Sequence, residues 1–207
     1  MEIRELKFND GYALSNLVVA TYSQLDNLEW LPDMPWDELN LKALITNSRY
    51  KIIGAFENNT LLGCVALDLK CEKLINSINF PTNFDNSNLA DVRFAMVHPN
   101  ARGQGVMKNL LNRIIDIAIN EEKTGIIVRS HIYNFITMHT FRRHGFETVA
   151  KYKMRVEKYE FENLKNQPFI QSGTKTLAEQ SIEKFAHQDF LEFEYNILCK
   201  NLIEKEN

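Results

Sequence analysis

One stretch of the chain has residue types and a spacing suited to binding an anion. Residues 97–108 read Val-His-Pro-Asn-Ala-Arg-Gly-Gln-Gly-Val-Met-Lys and lie between an apolar run and an amphipathic pattern. This order predicts a strand, a loop and a helix, and the unpartnered N–H groups at a helix start attract negative charge. Gly103 and Gly105 would let the backbone approach an oxygen-rich ligand closely, because glycine carries no Cβ. We interpret the loop as a cradle for pyrophosphate.

Two common phosphate loops do not match this segment. A nucleoside triphosphate loop ends in Gly-Lys-Ser/Thr and a dinucleotide loop reads GxGxxG. The segment instead resembles the loop of the GNAT superfamily of acyl-CoA-dependent N-acetyltransferases, which reads Arg/Gln-x-x-Gly-x-Gly/Ala after a strand ending in Val-x-Pro. Arg102, Gly105, Val97 and Pro99 match that pattern.

Met107 departs from the family pattern, which has a small residue at this position. Its side chain could crowd the phosphates, or it could point into the core as the first apolar residue of the helix. The second alternative is favoured by an apolar stripe at helical spacing. The stripe consists of Met107, Leu110, Leu111, Ile114, Ile115 and Ala118.

A second match lies downstream. The superfamily has an Asn, then three to four helical turns, then Gly-Phe, with a Tyr seven residues after the Asn. Asn134, Gly145 and Phe146 fit this spacing, and Phe141 stands where the Tyr usually is. Together the two motifs identify the fold that the resemblance implies.

The implied fold is α+β, with helices on both faces of a central, mostly antiparallel sheet of six or seven strands. That sheet is splayed between its fourth and fifth strands. We expect one domain over residues 1–207, with core motifs at 91–158, an enlarged connection at 159–187 and a final strand at 190–199. One helix running to about residue 203 is the alternative for the end of the chain.

Periodicity and turn signals predict the individual elements. A first helix would follow Asp10 as its N-cap, Asp37 would cap a second, and Asn58-Asn59 would form a hairpin turn. A further helix is predicted from residue 174 or 175 to 187. The predicted strands are 2–8, 50–57, 60–69, 91–97, 125–128, 146–158 and 190–198.

Composition excludes several functional classes. A net charge of −3 argues against a general nucleic-acid binder, which would show a basic face. Three cysteines without metal-ligand spacing predict no metal site and suit a reducing compartment. No apolar run reaches the length of a membrane span, and no signal peptide begins the sequence. We therefore expect a cytoplasmic protein, and a homodimer is compatible with a family in which many members dimerise.

The resemblance implies acetyl-CoA as the donor and direct attack of an amine on its thioester. Backbone groups of Ala95, Met96 and Val97 would pair with the pantetheine arm, and Asn134 would bond near that arm or the acceptor. A backbone N–H of the fourth strand would stabilise the oxyanion. N–H groups of the loop would hold the pyrophosphate, from Gly103, Gln104, Gly105, Val106, Met107 and Lys108, beside Arg102.

Two positions concern proton transfer. Asp91 stands where several members with protein substrates carry a Glu, so it is the candidate base, with a solvated carboxylate at a strand start as the equal alternative. Other members carry a Glu where this chain has Arg129, which could instead bind an acidic group. Phe141 cannot protonate the leaving thiolate as a Tyr would, and His139, His144 or Tyr133 could substitute.

The resemblance leaves the acceptor open between a small-molecule amine and an exposed amino group of a protein. Segments 26–38, 70–90 and 159–187 would line its pocket, and the first is acidic and aromatic. Acidic residues beside a cleft attract a cationic amine. Two other functions remain open: a CoA-binding module that has lost catalysis, and a relative using the cleft for another ligand.

Overall fold

A computed structural model of the protein describes residues 1–22, 38–71, 80, 87–157 and 190–202. Several predictions lie outside these residues. They are the cap at Asp37, the helix ending at 187, most of the 70–90 loop, the connection 159–187 and nearly all of the 26–38 segment.

Eleven helices and strands are found within the described ranges. The helices are α1 (Gly11–Tyr22), α2 (Glu38–Thr46), α3 (Val106–Asn120) and α4 (Phe135–Arg142). The strands are β1 (Glu2–Glu5), β2 (Tyr50–Glu57), β3 (Thr60–Asp68), β4 (Leu89–Val97), β5 (Gly125–His131), β6 (Glu147–Glu157) and β7 (Phe190–Asn201).

The strands form one sheet of seven in the order β1-β2-β3-β4-β5-β7-β6. All neighbours are antiparallel except β4 and β5, which are parallel. The predicted α+β architecture is confirmed. The final segment is a strand, as expected, and β7 lies between β5 and β6.

The hairpin between β2 and β3 turns at the predicted pair. Asn58 and Asn59 have φ of 48° and 64°, the left-handed values that a two-residue type I′ turn requires. Asparagine tolerates this region better than other residues with a Cβ. The turn therefore fixes the register of the two strands.

The sequence predicts that Asp10 caps α1, but its side chain instead caps the short turn before that helix. Asp10 ends a short 3₁₀ turn, Phe8–Asp10, and its carboxylate accepts hydrogen bonds from the Lys7 N–H at 2.7 Å and from Arg4 Nη1 and Nη2 at 2.7 and 2.9 Å. The Arg4 hydrogen bonds lower the pKa of the Asp10 carboxyl group. Asp10 therefore caps the turn that precedes α1 and fastens it to β1, which ends at Glu5.

Each face of the sheet is covered by one pair of helices. On β3, Cys64 and Ala66 belong to the core beneath α1 and α2, whereas Val65 and Leu67 belong to the core beneath α3 and α4. We call these sides the α1 face and the α3 face. The predicted α3 stripe is confirmed: Leu110, Leu111, Ile114 and Ala118 are buried, and Met107 and Ile115 pack against the same core.

The sheet opens between β4 and β5. Their parallel ladder runs from Leu89–Gly125 to Val92–Val128, and β4 then continues to Val97 paired with β3. A bulge helps to separate the strands, because Leu67 pairs with Val92 and Ala66 with Phe94. Bulges bend a strand and increase its twist. The predicted splay between the fourth and fifth strands is confirmed.

Candidate functional site

A cavity of about 480 Å³ occupies the opening between β4 and β5. Its walls come from four places: the end of α1, β4 from Val92 to Val97, the glycine loop with the first turn of α3, and the middle of β5 with one side of α4. The lining includes Thr21, Arg93, Ala95–Val97, Arg102–Gly103, Gly105–Lys108, Arg129, Asn134 and Phe141.

The glycine loop enters this cavity in a fixed conformation. His98 donates its N–H to the Leu62 carbonyl at 2.7 Å, and its ring accepts a hydrogen bond from the Asn100 N–H at 3.2 Å. Gly103 and Gly105 have φ of 77° and 76°, which side chains rarely adopt. A Cβ at either glycine would have no neighbouring atom within 4 Å in the described structure. The backbone is therefore bare on the side where a ligand can approach.

Nearly all of the predicted cofactor residues line one cavity. Ala95, Met96, Val97, Arg102, Gly103, Gly105, Val106, Met107, Lys108 and Asn134 form part of its wall. Gln104 is the exception among them: its exposed side chain donates from Nε2 to the Asn100 carbonyl at 3.0 Å. Met107 is partly buried against the α3 core while it also borders the cavity.

Asn134 is the N-cap of α4. Its Oδ1 accepts a hydrogen bond from the Thr137 N–H at 3.1 Å. This bond satisfies one of the free N–H groups at the helix start and holds the side chain at the cavity wall. The amide nitrogen of Asn134 has no hydrogen-bond partner within the described ranges.

Phe141 lines the cavity from α4. Its side chain is 2% exposed and meets Phe146 edge to face, with ring centroids 5.0 Å apart. Of the proposed substitute acids, Tyr133 is 59% exposed and His139 is exposed on α4. His144 hydrogen-bonds through Nδ1 to the Thr140 carbonyl at 2.8 Å, which is a role within the helix end.

Asp91 is completely buried and is not among the residues that line the cavity. It lies between Ala90 and Val92 of the α3 core, so its side chain projects to the α1 face of β4. Its Oδ2 lies 3.4 Å from Arg93 Nη1 and 3.9 Å from Arg129 Nη2. Its Oδ1 has no hydrogen-bond partner among the described residues. Desolvation raises the pKa of this carboxyl group to about 6, against the lowering effect of Arg129 and Arg93. The alternative of a solvated carboxylate is thereby wrong.

A second buried carboxylate lies beside Asp91 on the neighbouring strand. Asp68 pairs with Asp91 across the β3–β4 ladder and is 1% exposed. Arg49 neutralises it through two hydrogen bonds of 2.6 Å, from Nε to Oδ1 and from Nη2 to Oδ2. Asp68 nevertheless contributes to the raised pKa of Asp91.

Two cavity residues escaped the sequence interpretation. Arg93 is the unpaired residue of the bulge, lines the cavity and carries a buried Nε without a described partner. Thr21, at the end of α1, lines the opposite wall and has an unpartnered Oγ1 in the described part of the chain. A signal for Arg93 is present in the sequence, since it is a charged residue between the apolar residues Val92 and Phe94, whereas nothing in the sequence points Thr21 toward β4.

The described part of the chain also bears on metal binding and membrane insertion. No group of three or more His, Cys, Asp or Glu side chains there could hold a metal ion. No helix among the described residues is both long enough and apolar enough to span a membrane. Cys64, Cys71 and Cys199 are buried free thiols, and burial raises the pKa of each.

The family model described as Acetyltransferase (GNAT) family matches residues 12–146 of this sequence. This range contains the whole glycine loop and all the described residues that line the cavity. In the comparison with curated proteins, no sequence matched significantly.

Solved structures resemble the fold over almost its whole length. The ribosomal-protein-S18-alanine N-acetyltransferase from Escherichia coli has a TM-score of 0.60 at 14% identity, covering 100% of this chain and 97% of that one. An N-acetyltransferase from Staphylococcus aureus Mu50 has a TM-score of 0.63 at 15% identity, with 98% of each chain covered. The paia N-acetyltransferase from Thermoplasma acidophilum, in complex with coenzyme A, has 0.56 at 19%, covering 71% and 89%. At identities this low, the structural likeness shows a shared fold and nothing finer.

Proposed function

We propose, from the premise that this chain belongs to the Acetyltransferase (GNAT) family, that it transfers an acetyl group from acetyl-CoA to an amine. One observation supports this most strongly. The bare glycine loop at the start of α3 and the edge of β4 that lies beyond its ladder with β5 meet in one cavity. A pyrophosphate and an extended amide-bearing arm need these two surfaces in this order.

The cofactor would bind mainly through backbone groups. N–H groups of Gly103 to Lys108 would hold the pyrophosphate, because they lie at the positive end of α3. Ala95, Met96 and Val97 would pair with the pantetheine arm as an added strand, since β5 has diverged at this point. The Asn134 amide nitrogen would donate to the arm. The relative from Thermoplasma acidophilum was solved in complex with coenzyme A, which agrees with this assignment.

The proposed reaction is direct attack of a neutral amine on the thioester carbonyl carbon. The new C–N bond forms as the C–S bond breaks, and the electron pair leaves with sulfur. Asp91 is the proposed base. Because Asp91 does not line the cavity, the amine proton would reach Oδ1, which has no partner among the described residues, through water. Its pKa of about 6 leaves the carboxylate ionised at neutral pH.

The leaving thiolate would depart without an acid on α4. Phe141 offers a phenyl ring at the usual Tyr position, and it is buried against Phe146. A thiol with a pKa near ~8.5, as for free cysteine, is a good leaving group and can take its proton from water. Positioning of the two reactants would then supply most of the rate increase.

The acceptor is proposed as a small-molecule amine or an exposed amino group of a protein. The Escherichia coli relative acts, by its name, on alanine of ribosomal protein S18. At 14% identity that substrate belongs to that protein alone.

The test combines binding with turnover. A thermal melt with acetyl-CoA at 100 times its dissociation constant should raise the midpoint by roughly 5–10 °C for a chain of this length. Release of free thiol in the presence of an amine panel, with mass spectrometry of the products, should then identify transfer. No midpoint shift at millimolar acetyl-CoA would contradict the cofactor assignment.

A CoA-binding module without catalysis is the second candidate, and the buried ring of Phe141 is the observation that favours it. Phe141→Tyr separates the two. Under the leading proposal the wild-type protein turns over and Phe141→Tyr changes kcat by less than about threefold. A silent wild type with full CoA binding, made active by Phe141→Tyr, would favour the module.

A further inference from the structure

Two arginines lie together in the opening between β4 and β5. Arg93 and Arg129 come from opposite sides of the opening, on β4 and β5, and both line the cavity. Their side chains are only 24% and 17% exposed. Guanidinium groups this deep in a cavity need an anionic partner, because burial of an uncompensated charge is costly.

The carboxylates nearby do not satisfy both arginines. Asp91 is shared between them through a single oxygen, Oδ2, at 3.4 and 3.9 Å. Its neighbour Asp68 is engaged in the two short hydrogen bonds from Arg49. The Nε of Arg93 is buried with no partner among the described residues. Among the described residues, two arginines that line the cavity therefore share one carboxylate buried behind them, and the Nε donor of Arg93 has no partner.

The arginines lie on the side of the sheet opposite the phosphate loop. Val128 belongs to the core beneath α3, so its neighbour Arg129 projects toward the α1 face, since successive strand residues alternate. Asp91, between Ala90 and Val92 of the same α3 core, projects the same way and meets both arginines. Thr21 of α1 borders the cavity from this side. A cofactor held at the start of α3 would reach the opening from the other face.

We propose that the acceptor carries a carboxylate as well as its amine, and that Arg93 and Arg129 bind this carboxylate. An amino acid is the simplest molecule of this class. Guanidinium groups bind carboxylates through paired, charge-assisted hydrogen bonds, which also fix orientation. The acceptor carboxylate would supply the missing negative charge, and its amine would lie toward Asp91 Oδ1 and the thioester.

This inference rests on the proposed transferase activity. It also has a competing source for the same chemistry, because an acyl group that ends in a carboxylate, such as succinyl, could place its charge at the same arginines. The position of the arginines on the α1 face favours the acceptor.

The experiment uses matched acceptors and the full-length protein. Several amino acids are each compared with their carboxamides and with the corresponding amines that lack the carboxyl group, with acetyl-CoA as donor. We expect kcat/KM to be about 10- to 100-fold higher for the amino acid than for its carboxamide, the range of a charged hydrogen-bond pair. In Arg129→Met and in Arg93→Met this ratio should fall toward one.

The ratio is measured within each variant, so a partly unfolded preparation does not affect it. Arg129→Lys keeps the charge without the planar fork and should give an intermediate ratio. Transfer with equal kcat/KM for acid and carboxamide would overturn this inference and leave the proposed function intact. No transfer to any amine would overturn both. A preference for succinyl-CoA over acetyl-CoA that is lost in Arg129→Met would assign the arginines to the donor and overturn the acceptor assignment.

Discussion

The carboxylate of Asp91 and the guanidinium of Arg129 face each other at 3.9 Å across the point where β4 and β5 separate. Asp91 lies in the last paired stretch, which ends at Val92–Val128, and Arg129 is the first residue of β5 beyond it. The ion pair therefore bridges the base of the cleft. The position of these two charges therefore depends on where β4 and β5 separate.

Asp91→Asn should reduce kcat by about 10²- to 10⁴-fold, the usual contribution of a general base. In the wild type kcat/KM should rise with pH around the Asp91 pKa of about 6, and the variant should lose this dependence. The dissociation constant for acetyl-CoA should stay within about twofold. Asp116→Asn, on the exposed surface of α3, is the matched control. Unchanged kcat in Asp91→Asn would remove Asp91 from the reaction.

The same carboxyl group should shape the pH dependence of stability. Its pKa is about 6 in the folded protein against 3.8 ordinarily, so the folded state binds the proton more tightly. The free energy of unfolding should therefore fall as the pH rises from about 4 to 6, by up to ~1.4 kcal/mol per unit, and this contribution should be constant outside that window. Urea unfolding of the wild type and Asp91→Asn at several pH values measures the difference. Parallel curves for the two proteins would contradict the shift.

Gly105→Ala should weaken acetyl-CoA binding at least tenfold. The backbone at Gly105 is left-handed and its missing Cβ would project into open space, which is the space assigned to the phosphates. Gly145→Ala is the control, because Gly145 has a similar φ of 81° but lies beyond the end of α4 at Arg142, where a Cβ would meet only the flexible end of Lys200. Both variants should lower the melting midpoint of the free protein. Only Gly105→Ala should change the dissociation constant measured by calorimetry, and equal affinities in the two variants would argue against the phosphate assignment.

Asn134 has two separable roles, and two substitutions divide them. Asn134→Ser keeps a side-chain acceptor for the Thr137 N–H, so stability should change by less than about 0.5 kcal/mol. It removes the amide donor, so the acetyl-CoA dissociation constant should rise by about 3- to 10-fold. Asn134→Ala should show the same loss of affinity and an additional ~1 kcal/mol loss of stability. Full affinity in Asn134→Ser would show that the residue is only a helix cap.

The elements that the sequence predicts well are those whose own periodicity specifies them. The α3 stripe, the Asn58-Asn59 turn and the choice of a strand for the last segment are all confirmed. The conformation of the glycine loop was predictable because Gly103 and Gly105 are needed locally, where the backbone takes a positive φ. These features depend on residues that are close together in the chain.

Features that depend on distant residues were harder to predict. The burial of Asp91 results from β3 and β5 closing on both sides of it, and a carboxylate at the start of a strand pattern gives no sign of that. The position of Arg93 at the cavity depends on the bulge opposite Leu67, which shifts the register by one residue. Asp10 was assigned to the wrong helix start because Arg4 draws its carboxylate toward β1.

β3 pairs with the part of β4 that lines the cavity, and Gly63 of β3 leaves no room there for a Cβ. A Cβ at Gly63 would lie 2.8 Å from the Met96 carbonyl oxygen and 2.9 Å from Val106, and both residues line the cavity. Because a contact below 3.0 Å with backbone forces a shift, Gly63→Ala should displace the β4 edge and cost about 1–3 kcal/mol of stability.

Gly125→Ala is the matched control for Gly63→Ala. Its Cβ would meet the Lys200 carbonyl oxygen at 2.9 Å, a comparable clash on the β7 side of β5. Thermal melts should show both variants destabilised, but acetyl-CoA affinity should fall about tenfold or more only in Gly63→Ala. The reason is that only the first displaces the backbone of Met96, which the proposal assigns to the pantetheine arm. If the two variants lost stability equally and bound acetyl-CoA like the wild type, the arm would have to lie elsewhere than along β4.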